Sequence, residues 1–294
     1  MNVNQLKSNN DLISNEYPDL KVQFNLNDGV VWSFMHSEPR PCYTPQLLSN
    51  LKDMLNKIKM QYLTDNPVEY LVVGSLVEKV YNLGGDLDLF AAYIAENDRE
   101  KLQKYAYSCI DLVYSCTNQI EHDVTSIALV QGSALGGGFE AALACHYIVA
   151  EQSAQFGFPE VLFNLFPGMG AFTYLSRRIS MRDAEQLILS AKQYSATELY
   201  EMGVIDVLVE DGQGMNAVNE FINNHRTQQR ARIAMQKAKM RSTLISYVEL
   251  RDIADIWVDA ALKTKSSDIE FMQRLVKIQN RKFIKKTNVH QFSK

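Results

Sequence analysis

The stretch Gln131-Gly132-Ser133-Ala134-Leu135-Gly136-Gly137-Gly138-Phe139-Glu140 decides the fold class of this chain. Ile127 to Val130, just before it, read as a buried strand, and Ala141 to Cys145, just after it, are helix formers. A strand that ends in a glycine turn and restarts as a helix marks an α/β chain. Glycine lets the backbone approach a ligand closely, and a helix start presents N–H groups without intrahelical acceptors at a positive dipole end. Such a turn can hold an oxyanion. Two other readings compete with this one. Gly136, Gly138 and Ala141 fit G-x-G-x-x-A, with Glu151 as the acidic residue ending the next strand of a dinucleotide fold. Glu140 weighs against it, because a pyrophosphate at a helix start needs no added negative charge. The third reading is a glycine turn that serves only close helix packing.

Working outward, Phe156-Gly157-Phe158-Pro159-Glu160 places a second carboxylate after a proline, and the apolar Val161-Leu162-Phe163 follow. A carboxyl in such surroundings holds its proton more tightly than in water, which suits acid/base work. Glu140 and Glu160 are therefore candidate partners in proton transfer. Upstream, Tyr81-Asn82-Leu83-Gly84-Gly85-Asp86-Leu87 forms a second glycine turn after the strand Tyr70 to Val73. Taken alone it reads as a loop with Asp86 as a helix N-cap.

The rest of the chain is consistent with one large domain, or a domain with a helical appendage: 294 residues, 46% hydrophobic and 22% charged. Lys21 to Leu26 and Val30 to Met35 flank Asn27-Asp28-Gly29, a hairpin signal. Helical periodicity covers Gln46 to Tyr62 and Asp98 to Thr117. Shorter helices are predicted over Gly170 to Arg178, Arg182 to Ser190 and Thr197 to Met202, with a strand at Ile205 to Val209. Beyond about residue 213 the pattern is helical, with Tyr247, Leu250, Ala254, Trp257, Val258 and Ala261 on one stripe. The expected division is residues 1–226 as core and 227–294 as a helical region.

The net charge of −4 implies neither nucleic acid nor a membrane surface as a partner. Cys42, Cys109, Cys116 and Cys145 form no C-x-x-C pair, and the polar first residues do not resemble a signal peptide, which points to a reducing cytoplasm and free thiols. No membrane insertion is expected, since the least charged stretch, Ser126 to Ala150, is broken by Glu140 and the glycine run. No metal-ligand spacing, Walker loop or G-x-S-x-G elbow occurs, so neither a metal nor a cofactor is implied.

Three motifs in order, Leu83-Gly84-Gly85-Asp86, Ala134 to Glu140, and Phe156 to Glu160 with Phe166-Pro167-Gly168-Met169-Gly170 after it, resemble the crotonase (enoyl-CoA hydratase/isomerase) superfamily. The resemblance implies a spiral of ββα units with a C-terminal helical trimerisation region, hence a homotrimer or dimer of trimers. It also implies an oxyanion hole from the backbone N–H groups of Leu83 and Gly137, holding a thioester carbonyl as it becomes an enolate. In hydratases of this superfamily, glutamates at the positions of Glu140 and Glu160 handle water and the α-proton.

Gly157 to Gly170, Asn82 to Leu87 and Pro39-Arg40-Pro41-Cys42-Tyr43 look most like the synthases of diffusible signal factor, the cis-2-unsaturated fatty acids of bacterial quorum sensing. That likeness implies dehydration of a 3-hydroxyacyl group on acyl carrier protein, followed by thioester hydrolysis. Typical CoA-using members have a proline and Asn-Ala-Leu where this chain has Arg40-Pro41-Cys42-Tyr43-Thr44. Candidate linings for an acyl tunnel are Leu135, Phe139, Leu162, Phe163, Met169 and Trp257. Basic residues without acids, from Arg226 to Arg241 and again after Glu270, could steer an acidic carrier protein or form a solvated face. A regulatory protein partner is a further expectation for a synthase of this kind. The alternatives are a conventional enoyl-CoA hydratase/isomerase acting on acyl-CoA, and a non-catalytic RNA-binding protein on the same fold.

Overall fold

The computed structural model describes residues 12–14, 17–25, 28–61, 68–119 and 123–290. β1 (Leu12–Ser14), β2 (Leu20–Asn25) and β3 (Val30–Met35) pair antiparallel, and α1 (Pro45–Gln61) follows. The β2–β3 pair is the predicted hairpin. Leu26 and Asn27 of its turn, and Tyr62 at the end of the predicted helix, lie outside the described residues.

From there a unit of two strands and a helical segment recurs three times. The first contains β4 (Tyr70–Ser75), β5 (Val80–Asn82), α2 (Leu87–Ala95) and α3 (Arg99–Asn118). The second contains β6 (Thr125–Val130), β7 (Ser133–Leu135) and α4 (Gly137–Leu143). The third contains β8 (Tyr147–Glu151), β9 (Gln155–Gly157), a 3-10 turn over Pro159–Phe163, α5 (Ala171–Leu175) and α6 (Met181–Leu189). The chain continues through β10 (Tyr194–Ser195), α7 (Ala196–Glu201), β11 (Val207–Val209), α8 (Gly214–Arg226), α9 (Gln229–Ser242), α10 (Tyr247–Ala261) and α11 (Ser266–His290). The first strand of each unit enters a seven-stranded sheet, β1-β2-β3-β4-β6-β8-β11, and the second enters a smaller one, β10-β9-β7-β5. Successive units pair in parallel in both sheets, so the chain advances one strand per turn. This is an α/β spiral of ββα units.

The central strands β3, β4, β6 and β8 of the large sheet are buried on both faces, which is why they read as largely apolar runs. Alternate side chains divide between two cores. Val31, Leu71, Ala128 and Ile148 face the main core, while Trp32, Val72, Ile127 and Val149 pack toward Val218 and Ile222 of α8. In the small sheet a Cβ at Gly132 would run into the backbone of Lys79, so only glycine permits the passage from β6 to β7.

Several local outcomes differ from expectation. α5 ends at Leu175, and Arg178, predicted as helical, turns its guanidinium onto the carbonyls of Val204 and Cys145 and onto Asp206 at 3.0 Å. The dinucleotide reading fails at Glu151. Its Oε1 accepts from Gln131 Nε2 (2.8 Å) and from the Gly214 N–H (3.0 Å), where it caps α8. The N-cap reading of Asp86 holds, since its side chain accepts from the Leu89 N–H at the start of α2.

After β11 the described residues contain no further strand. α10 packs on α3 through Leu250, Ala254, Trp257, Val258 and Ala261, whereas α9 buries no side chain. Two of the basic residues noted above meet acids of the core, Arg226 with Glu69 (3.4 Å) and Lys237 with Asp123 (2.5 Å). The basic side chains from Arg281 to Lys286, and Lys294, lie outside the described residues. Among the described residues no helix is long and apolar enough to cross a membrane.

Candidate active site

A recess with about 390 Å³ of empty volume brings the three motifs together. Its polar end holds Glu140, Glu160, Gly85 and Gly137. Glu140, in the first turn of α4, is 1% exposed. Its Oε1 accepts from the N–H groups of Met169 (2.7 Å) and Ala171 (2.9 Å). Gly170, at φ +105, lets the chain turn so that both donors face one oxygen. Burial and then the neighbouring Glu160 push the Glu140 carboxyl well above the ordinary range, and the two backbone donors offset only part of this.

Glu160 enters from the 3-10 turn, placed by Pro159 at its start. Its Oε2 is out of solvent and has no hydrogen-bond partner among the described residues. Its other oxygen lies against Gly136, where a Cβ would stand 2.2 Å from Oε1. Burial raises this carboxyl to about 7. Both groups therefore retain protons into the neutral range, as suits an acid/base pair.

The glycine run divides by residue. Gly136, at φ +53, makes room for Glu160. Gly137 is the first residue of α4 and lines the recess, and its N–H is among those a helix start leaves without an intrahelical acceptor. Gly138 is a packing residue, since a Cβ there would stand 2.2 Å from the Asn82 carbonyl oxygen. Gly137 thus offers a helix-start N–H to the recess, while Gly138 serves packing.

The expected donor Leu83 is corrected. Its N–H is already spent on the Pro41 carbonyl oxygen at 2.8 Å, and Leu83 does not line the recess. The residue of that turn which lines the recess together with Gly137 is Gly85. A Cβ at Gly85 would stand 2.5 Å from Phe90 Cζ, so the aromatic ring covers this residue and would have to shift for any side chain there.

The apolar walls are Phe90, Tyr105, Ala106, Cys109, Met169 and Trp257. Of the six expected linings, Met169 and Trp257 stand in these walls and the other four do not. Phe139 stacks on Phe158 (4.9 Å) in the core, and Phe163 is 2% exposed in the same core. Leu162 points to solvent at 54% exposure, and Leu135, on β7, does not line the recess. Phe90, Tyr105, Ala106 and Cys109 are wall residues that the sequence reading does not single out. Cys109 lines the recess as an inert thiol, its pKa pushed up by burial.

Comparison with known proteins places the chain in a family. The glyoxysomal fatty acid beta-oxidation multifunctional protein MFP-a of Brassica napus is 30% identical over 172 residues, 58% of this chain and 23% of that protein. The short-chain-enoyl-CoA hydratase of Clostridium acetobutylicum is 41% identical over 97 residues, 33% of this chain and 37% of that protein. The match thus spans less than half the length of either relative. Among solved structures, an enoyl-CoA hydratase from Bacillus halodurans superposes with a TM-score of 0.74 at 18% identity, covering 87% of this chain and 99% of that one. Pseudomonas aeruginosa DspI superposes with a TM-score of 0.63 at 22% identity, covering 82% and 86%. At these identities the structural likeness speaks for the fold alone. The family model Enoyl-CoA hydratase/isomerase matches residues 35–274, and the chain therefore belongs to the enoyl-CoA hydratase/isomerase family.

Proposed function

We propose that this protein is a dehydratase and thioesterase that converts a 3-hydroxyacyl thioester on acyl carrier protein into a free cis-2-unsaturated fatty acid. The observation that carries this reading is the meeting of the buried Glu140 carboxyl, the half-buried Glu160 carboxyl and two glycine N–H groups around one recess. Among the described residues neither the Gly85 nor the Gly137 N–H has an acceptor, so both are available to a thioester carbonyl oxygen.

In the dehydration, the ionised carboxylate of the pair takes the α-proton while the carbonyl oxygen gains charge between the two N–H groups. The protonated carboxyl then gives its proton to the departing 3-hydroxyl, which leaves as water. The pair ends with one proton, as it began, but on the other glutamate. In the hydrolysis, the carboxylate now free takes a proton from water, and the hydroxide adds to the carbonyl carbon. The same N–H groups hold the tetrahedral oxyanion, and the carrier thiolate leaves with the proton. One site serves both steps because each builds negative charge on the same oxygen.

The carrier-protein assignment is supported by Arg40-Pro41-Cys42-Tyr43-Thr44, which departs from the loop usual in CoA-using members. A second reading, hydration of an enoyl-CoA, is favoured by the relative that is itself a short-chain-enoyl-CoA hydratase. The deciding experiment is to incubate the purified protein with 3-hydroxyacyl carrier protein and with crotonyl-CoA, and to analyse both by mass spectrometry. Free unsaturated acid from the first supports the proposal. Hydrated crotonyl-CoA with no acid from the carrier substrate supports the second reading.

A further inference from the structure

The Gly85 N–H can serve a thioester oxygen only if the turn bearing it is held still. That turn lies between β5 and α2 and has no ladder of its own beyond one isolated bridge between Gly85 and Tyr43. Its backbone donors show how it is held. The Leu83 N–H goes to Pro41 O (2.8 Å), the Gly84 N–H to Asn82 Oδ1 (2.8 Å), and the Asp86 N–H to the Tyr105 hydroxyl (3.1 Å). Among the described residues, Gly85 is the one member of this run whose N–H is left for the recess.

Tyr105 reaches the turn from α3 and is 6% exposed. Its hydroxyl accepts from Asp86 and donates to the Tyr43 carbonyl oxygen, while the Tyr43 N–H donates back to Gly84 O (2.8 Å). One hydroxyl thus ties the turn to the loop before α1. The buried Arg40 guanidinium also holds the turn, joining Asp86 Oδ1 (2.8 Å) and Asp88 Oδ2 (3.0 Å). A tyrosine needed only for packing would have no use for this buried hydroxyl, and phenylalanine would fill the same space.

We propose that Tyr105 and Arg40 are positioning residues that clamp the Gly84–Asp86 turn so that the Gly85 N–H points at the thioester carbonyl. This rests on the reading of Gly85 and Gly137 as carbonyl donors. Neither residue takes part in proton transfer. Their effect is on the polarisation of the carbonyl.

The test uses the full chain and a 2,4-dienoyl pantetheine thioester, whose absorption moves to longer wavelength when its carbonyl is polarised. Tyr105→Phe and Arg40→Lys are compared with the unaltered protein and with Tyr107→Phe. The last removes a hydroxyl from the same helix that bonds Asp255 instead (2.7 Å). The unaltered protein and Tyr107→Phe are expected to shift the probe fully. Tyr105→Phe and Arg40→Lys should lose about half of the shift or more, with kcat down ~10²-fold, as for a small misplacement of a reacting group. KM should change by less than about threefold, because the loss is confined to the transition state. A full shift with ordinary kcat in folded Tyr105→Phe overturns the clamp, and if that variant does not fold, the same result in Arg40→Lys does so. An unaltered protein that leaves the probe unmoved while turning over its substrate refutes the carbonyl-donor reading and the clamp with it.

Discussion

Replacing Glu160 with glutamine should make the protein more stable at neutral and alkaline pH. The folded protein raises this carboxyl from the ordinary 4.5 to about 7. Between those values the folded chain binds a proton more tightly than the unfolded chain, so stability falls as pH rises through the window and levels off above it. A displacement of that size corresponds to ~3 kcal/mol. The residue keeps some solvent contact even though its Oε2 is enclosed, so ~2 kcal/mol is the expected effect. Glutamine has nearly the same shape and does not titrate. Relief of Glu140, whose own rise is partly due to Glu160, acts in the same direction. Urea unfolding of both proteins, followed by tryptophan fluorescence from pH 4.5 to 8.5, measures the difference. The variant should match the unaltered protein near pH 4.5 and exceed it by ~2 kcal/mol at pH 8. A gap independent of pH, or an unaltered protein that is the more stable at pH 8, would refute the assignment of Glu160 as a buried, proton-retaining carboxyl.

Other predictions concern turnover and the glycines. Glu140→Gln and Glu160→Gln should each lower product formation by at least ~10²-fold in folded protein, measured as acid released from the carrier substrate. The kcat/KM profile should climb through an apparent pKa of about 7 as Glu160 ionises and supplies the base, and an acid limb below pH 5 would contradict this. Gly138→Ala should cost ~1–3 kcal/mol or more in stability, because its Cβ meets the Asn82 carbonyl. At Gly137 the one atom a Cβ would crowd is Met169 Sδ at 2.6 Å, on a flexible side chain, with the Gly84 and Gly85 backbone at ordinary contact, so for Gly137→Ala the midpoint should move little while turnover falls ~10²-fold. Equal thermal losses in the two glycine variants would return both positions to packing.

The legible parts of this protein are those whose signal is local. The large-sheet strands announce themselves because burial on both faces leaves no polar residue in Ile127 to Val130, and α10 because its stripe recurs at helical spacing. Glu140 and Glu160 stand out as acids in apolar surroundings. β5, β7 and β9 do not, because three residues are too few for alternation to show. The free N–H that this turn offers to the recess lies at Gly85, two residues from the expected Leu83, for a more instructive reason. Which N–H of a tight turn remains free depends on which others find acceptors, and here those are Pro41 and Tyr105, both distant from the turn in sequence. The aromatic wall is hidden for a similar reason. Phe90 and Tyr105 sit on helices whose apolar faces give no sign of which part faces a recess.

Stability and chemistry make opposite demands on the two glutamates, and that opposition separates a reactive site from a structural one. A carboxylate kept for structure lowers its proton affinity by pairing, as Glu198 does beside Lys192 and the Ser195 backbone, where it falls to about 2. Glu140 and Glu160 go the other way, with no cation among the described residues beside them to offset burial. Around them are a glycine at positive φ and an enclosed oxygen without a partner among the described residues, features a folded protein tolerates where function requires them. For Glu160 the prediction is therefore double: the variant gains stability above pH 7 while it loses turnover. Neither change is diagnostic by itself, since a packing residue loses activity when its replacement unfolds the chain, and removing one of several crowded surface acids also raises stability. Gain of one with loss of the other is expected only of a buried carboxyl held ready to exchange its proton.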